Sequence, residues 1–230
     1  MPFRGDIEGS VGLLAGHPSV RPAEPEDSTF LADVILMASR SHLPRGLWDL
    51  VIDSEAEDRL VFLEVLTLID APSFCNYENF VVVTVDDQPV AALAGFDANR
   101  PGFLSPGQLI AEGFNELGWS GAELSSAFER LGAYQTAVPE PAKGLWTIEW
   151  VATLPSFRRQ GFVRRLLERT LADGRDRGLR RAQVTTFLDN VAARQAYLRQ
   201  GFTLAEERRH ADFERLVGSP GLVRFERELA

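Results

Sequence analysis

The chain has 230 residues, 45% of them hydrophobic and 25% charged, with a formal net charge of −9. That length buries a full core, as one large domain or a domain with an insert. No apolar run approaches the ~20 residues a bilayer span requires, and the single cysteine, Cys75, excludes an internal disulfide and fits a reducing, cytoplasmic setting.

In chain order, MPFRGDIEGSVGLLAGHPS does not read as a signal peptide, because acids follow one arginine and the apolar patch is short. Residues 1–18 are taken as an N-terminal extension. SVRPAEPEDS predicts a short strand and then a turn, with prolines bracketing it. TFLADVILMAS carries helical periodicity, and HLPRGLWDLVI predicts a second short helix or loop with an exposed aromatic, Trp48. Ser54 and Glu57 form a capping-box pattern ahead of DRLVFLEVLTLID, an amphipathic helix. In NFVVVTVDDQPVAALAGF two β-rich runs flank Asp86-Asp87-Gln88, a hairpin signal. Residues Arg100 to Pro141 break the pattern. Ser105 with Gln108, and Ser120 with Glu123, predict two short helices, the first with Pro106 at its opening position. They read as an insert over about residues 100–142, between the third and fourth strands.

The second half alternates. GLWTIEWVAT is a strand, and Gly161 to Asp176 a helix with Phe162, Val163, Leu166, Leu167, Thr170 and Leu171 on one stripe. RAQVTTFL is a strand, and NVAARQAYLRQ a helix with an asparagine at its start and Gly201 past its end. FTLAEER and LVRFEREL are the last strands. Strand, helix, strand, helix, strand implies a partly parallel α/β sheet. Charge divides along the same line. Residues 1–142 hold 7 Lys+Arg and 22 Asp+Glu, residues 143–230 hold 17 and 11, together the 24 and 33 of the chain. An anionic ligand favours the second half and a cationic one the first.

SFRRQGFVRRLL, at the join of strand and helix, places a glycine turn and arginines before a helix start. Unpaired amides of a first helical turn, with the positive end of the dipole, suit a pyrophosphate, and Gly161 permits close approach. The segment is neither a Walker loop nor a dinucleotide G-x-G-x-x-G fingerprint. Alone, it is equally a plain turn.

The next unit supplies a second signature. R-x-x-G-x-(G/A) after a strand, followed one strand later by N-x-x-A-x-x-x-Y-x-x-x-G-F through Asn190, Ala193, Tyr197, Gly201 and Phe202, resembles the GNAT superfamily of acetyl-CoA-dependent N-acetyltransferases. The likeness is close over residues 144–230 and loose over 19–100, where VRPAEPED resembles the family's first strand and turn. It implies one GNAT domain over residues 19–230, of the acyl-CoA N-acyltransferase fold. That fold has a mixed, mostly antiparallel sheet with a splayed parallel central strand pair and helices on both faces. It further implies that Leu145–Thr153 and Ala182–Leu188 part to admit the pantetheine arm of acetyl-CoA. Val151, Ala152 and Thr153 would pair with its amides, and the Val151 amide would polarise the thioester carbonyl. Arg158, Arg159, Gln160, Gly161, Phe162 and Val163 would cradle the pyrophosphate. Asn190 would bond the pantetheine side, with Ala193 in the same motif, and Tyr197 would protonate the departing thiolate. Valine at 163 departs from the family's usual glycine or alanine.

Glu149 is the candidate base. Strand alternation puts it on the side of Thr147, Val151 and Thr153, and an acid on a central strand is costly unless hydrated, paired or functional. Plainer readings stand beside these. Tyr197 can be a core tyrosine and Glu149 a structural ion-pair partner. Arg164, Arg165 and Arg169 lie off the apolar stripe, as a solvated face does. His42 and His210 suit the surface, although His42 could line an acceptor pocket, and Trp48, Trp119, Phe114 and Phe128 could shape a pocket, with core packing the default. The acidic total and the lack of aromatics interleaved with the arginines argue against nucleic acid. The expected function is acetyl transfer to the primary amine of a small molecule or peptide, by direct attack in a ternary complex, with no metal. The acidic half frames the acceptor region, so a cationic amine is the natural acceptor. The alternative is a non-catalytic acyl-CoA-binding regulatory module of the same fold. A homodimer is compatible with either.

Overall fold

The computed structural model describes residues 17–139 and 142–229. The expected N-terminal extension lies outside these residues apart from its last two, and Pro18 already begins a strand. The elements are β1 (Pro18–Pro22), α1 (Ser28–Arg40), α2 (Leu47–Val51), α3 (Ala56–Leu68), β2 (Phe80–Val85), β3 (Gln88–Asp97), α4 (Pro106–Glu116), α5 (Gly121–Gln135), β4 (Trp146–Thr153), α6 (Phe162–Asp176), β5 (Arg181–Phe187), α7 (Val191–Arg199), β6 (Thr203–Arg209), α8 (Ala211–Val217) and β7 (Gly221–Glu228). One sheet runs in the order β1-β2-β3-β4-β5-β7-β6. Its β4–β5 pair is parallel and its other pairs are antiparallel. This is the mixed, mostly antiparallel sheet expected from the sequence.

Local chemistry accounts for most boundaries. Asp86 and Asp87 both take left-handed φ values, 50° and 63°, and close the β2–β3 hairpin as a tight two-residue turn requires. Both insert helices form behind their capping boxes, Ser105 with Gln108 and Ser120 with Glu123. The box expected at α3 does not form. Its N-cap is Glu55, without a side-chain bond. Arg59 fixes the entry instead, donating to the carbonyls of Ser54 at 2.6 Å and Ile52 at 3.0 Å. α8, between the last two strands, is an element the sequence reading passed over. It starts at His210, whose Nδ1 accepts from the Asp212 amide at 3.2 Å, and seats Phe213 and Val217 in the core.

The sheet separates two apolar clusters. One packs α1 to α5 and α8 on the first face, and the other packs α6 and α7 on the second. Trp48, exposed-looking in its own segment but with core packing as its default, is fully buried, 6.1 Å from Phe62 and stacked 6.2 Å from Phe74. The cause is Asp49, which takes charge-assisted bonds from Arg40 at 2.8 and 2.5 Å and an ion pair from Arg59 at 3.3 Å. These draw α2 onto α1 and α3 and turn the indole inward. The approach is so close that a Cβ on Gly46 would sit 2.1 Å from the Ser39 carbonyl oxygen. Arg130 of α5 then donates to the Leu50 and Val51 carbonyls at 2.6 and 3.0 Å, fixing the insert over the end of the sheet. Among the described residues, no helix is long and apolar enough to cross a membrane.

Candidate active site

β4 and β5 are in register only at Trp146↔Ala182, Thr147↔Gln183 and Ile148↔Val184. Beyond Ile148 they part, while β4 stays on β3 through Ala152↔Ala92 and Thr153↔Ala91. The β5-facing edge of Glu149 to Thr153 therefore offers its backbone groups to whatever enters the gap. A bulge sits at the fork. The β3 register jumps from Glu149↔Ala94 to Ala152↔Ala92, and Trp150 adopts a left-handed φ of 55°. Such a φ is strained for a tryptophan. The Trp150 indole is anchored against that strain, donating to the Phe74 carbonyl at 2.7 Å and packing 5.9 Å from both Trp48 and Phe74.

The bulge corrects the strand-alternation reading of Glu149. Ala94, opposite Glu149, lies in the first-face cluster, and Trp150 and Ala152 pack there too. Val151 packs against the second-face cluster, and Thr153 pairs with Ala91 of that cluster. Glu149 thus shares its face with Thr147, Trp150 and Ala152, and lies across the sheet from Val151 and Thr153.

The turn after β4 runs through two left-handed residues, Arg159 at φ 63° and Gly161 at φ 80°. Gly161 is the N-cap of α6 and makes no side-chain cap bond. In contrast to α4 and α5, the α6 amides are left for an external acceptor. Arg158 folds back, its Nε donating to the Thr153 carbonyl at 3.2 Å. Val163 is half-buried, its side chain packed against the second-face cluster. Arg164, Arg165 and Arg169 are exposed, and Arg164 and Arg169 pair along the helix with Glu168 and Asp173. This is the solvated face expected of them.

Asn190 caps α7 by accepting from the Ala193 amide at 3.0 Å, and its Nδ2 donates to Ser41 Oγ at 2.6 Å and Thr186 Oγ1 at 3.3 Å. Its neighbour Asp189 pairs with His42 Nε2 at 3.1 Å. The loop after α1 is thereby tied to the loop after β5. Tyr197 is buried, its ring near Phe202 and Phe225, and burial pushes its hydroxyl well above the usual phenol range. Across the gap, burial raises Glu149 from 4.5 to about 7. Two neighbours feel its charge. The fully buried Cys75 thiol is pushed up by burial and then by Glu149, and so is the Tyr134 hydroxyl of α5.

Most of these groups border one open cleft of about 1670 Å³. Of the residues singled out in the sequence, Glu149, Val151, Ala152, Thr153, Arg158, Arg159, Gly161, Phe162, Val163, Asn190, Ala193 and Tyr197 line it, as does His42. Gln160 does not, and points to solvent on the exposed outside of the turn. Sequence reasoning missed Trp150 and Tyr134 as lining residues. A bulge leaves no mark in the residue pattern, and nothing local ties position 134 to position 149. Among the described residues, no group of three or more His, Cys, Asp or Glu side chains could hold a metal ion.

A family model for the "Acetyltransferase (GNAT) family" matches residues 48–202. No curated protein matches the sequence. Among solved structures, one acetyltransferase is 17% identical at a TM-score of 0.64, covering 92% of this chain and 100% of its own. An N-acetyltransferase from Staphylococcus aureus Mu50 is 18% identical at 0.58, with coverages of 91% and 100%. A Salmonella typhimurium protein assigned as an acetyltransferase, yncA, seen with its cofactor acetyl-CoA, is 14% identical at 0.52, with coverages of 93% and 94%. The structural likenesses speak for the fold; the family match, which spans more than half of the chain and both of its signature motifs, shows that this protein belongs to the acetyltransferase (GNAT) family.

Proposed function

We propose that the protein transfers the acetyl group of acetyl-CoA to a primary amine by direct attack in a ternary complex. The observation that carries the reading is the gap between β4 and β5, which opens onto the uncapped start of α6 with Glu149 and Tyr197 lining the same cleft. The residues fit the cosubstrate. The free edge of β4 pairs with pantetheine amides, as a strand edge pairs with an added strand. The amides of Gly161 to Val163, with Arg158 and Arg159 beside them, hold the pyrophosphate.

The amine nitrogen attacks the thioester carbonyl carbon. The N–C bond forms and the C–S bond breaks. The Val151 amide donates to the carbonyl oxygen as charge develops there. The proton lost by the amine passes to Glu149, directly or through water, and the departing thiolate takes the proton of Tyr197. Burial suits both roles. It raises Glu149 to about 7, where a carboxylate is a useful base at neutral pH, and keeps the Tyr197 phenol protonated.

Acetyl-CoA titrated by calorimetry, followed by thiol release with a panel of amines, tests the reading. Binding with turnover on at least one amine is expected. Binding with no turnover on any acceptor supports a non-catalytic acyl-CoA-binding module instead, and absence of binding overturns both.

A further inference from the structure

The acidic first half of the chain led to the expectation of a cationic acceptor, but among the described residues its carboxylates do not line the cleft. Among the described residues, Glu149 is the one acidic side chain that lines it. The arginines that line it belong to the turn after β4, to α6 and α7, and to β6 and β7. On the Glu149 face the walls are largely apolar, with the polar side chains of Ser39, His42, Ser105, Gln108 and Tyr134 among them but no second carboxylate among the described residues. Phe96 and Phe103 stack 5.2 Å apart, and Ile110 of α4 and Leu131 of α5 are buried beside the opening. Two large apolar side chains, Phe128 and Val138, stay 39% and 37% exposed on the rim. Their exposure suits contact with a ligand, since among the described residues nothing covers them.

An acceptor on this face meets one carboxylate in an apolar channel. A polyamine or aminoglycoside would bring further ammonium groups into that channel with no counter-charge, and each would be stripped of water. A single amine on an apolar body sets its nitrogen at Glu149 and lays the remainder along Phe96, Phe103, Ile110 and Leu131. We infer that the acceptor is a monoamine with a bulky apolar or aromatic substituent, of the arylalkylamine kind, rather than a polycation. The inference rests on the acetyl-transfer reading of the cleft and narrows its substrate class.

The test compares phenethylamine, ethylamine and spermidine as acceptors, with acetyl-CoA saturating and coenzyme A release as the readout. Phenethylamine is expected to have a kcat/KM at least about tenfold above both others, as apolar pocket discrimination allows. Phe128→Ala, at an exposed rim position that does not endanger folding, is expected to raise the KM for phenethylamine several-fold with kcat and the KM for acetyl-CoA unchanged. Spermidine as the better substrate overturns the inference and leaves acetyl transfer standing. So does faster turnover of octanoyl-CoA than acetyl-CoA with ethylamine, because the apolar wall then holds an acyl chain. If no amine is turned over, calorimetric titration of phenethylamine and spermidine into the CoA-saturated protein decides. Tighter phenethylamine binding keeps the inference while transfer falls, and equal or weaker binding removes both.

Discussion

Glu149→Gln is expected to make the protein more stable and less active, in a pH-dependent way. Burial raises the carboxyl from 4.5 to about 7, so the folded chain holds this proton more tightly than the unfolded chain. The sign follows. Below pH 4.5 both states are protonated and the group costs nothing. Between 4.5 and 7 the unfolded state alone ionises, so stability falls as pH rises. Above 7 both are ionised and the full penalty is present. At about 1.4 kcal/mol for each tenfold change in proton affinity, that penalty is about 3 kcal/mol. Cys75 and Tyr134, which face the carboxylate, are both pushed up and stay neutral over this range. Glutamine keeps the shape without the charge. Urea denaturation is therefore expected to show the variant more stable than wild type by up to about 3 kcal/mol at pH 8, the difference vanishing near pH 4.5. Over the same range wild-type kcat/KM is expected to rise with pH to a plateau above about 7, and the variant to lose about 100-fold in rate. A variant equally or less stable at pH 8 would refute the reasoning, because the carboxylate would then be paired or hydrated rather than stranded.

Tyr197→Phe is expected to lower turnover far more than acetyl-CoA affinity, since the phenol is proposed to protonate the leaving sulfur; an unchanged rate removes Tyr197 from the mechanism. Gly161→Val places a β-branched residue at a φ of 80° with open space around it, so backbone strain is the main cost, about 1–2 kcal/mol, and calorimetry is expected to show weaker acetyl-CoA binding. Asp49→Asn removes the carboxylate that joins Arg40, Arg59 and the Gly46 amide, with an expected loss of about 3 kcal/mol at neutral pH. Burial pushes Asp49 up, but the Arg40 and Gly46 bonds outweigh it and hold it below the usual 3.8. Its contribution is therefore present above that value and lost as pH falls below it, so wild type and variant are expected to converge in acid.

What the sequence made legible was local. Asp86-Asp87 announced the hairpin because both residues tolerate left-handed φ, and the serine caps announced the insert helices because each satisfies amides within its own turn. The two signatures around Gly161 and Tyr197 follow chain spacing and fell on one cleft. What was not legible depended on distant partners. Trp48 suited the core by residue type, but its place there depends on Asp49 meeting Arg40 and Arg59. Tyr134 gained its place only when Arg130, four residues earlier on α5, bonded the end of α2. Net charge is silent on position for a related reason. It counts carboxylates without regard to the surface they occupy, and among the described residues those of the first half do not line the cleft.

The bulge at Trp150 links these threads. On an unbroken strand, Glu149 would share a face with Val151 and Thr153. One extra residue keeps Glu149 and Trp150 together on the face of α1 to α5 and returns Val151 to the face of α6 and Tyr197. It also ends pairing with β5 where the gap must open. The strain at Trp150 is held by the Phe74 carbonyl and by Trp48, and so in turn by the Asp49 pairs that turn Trp48 inward. The ion pairs under α2, far along the chain from the signature motifs, are in this way part of what separates the Glu149 side of the cleft from the Tyr197 side.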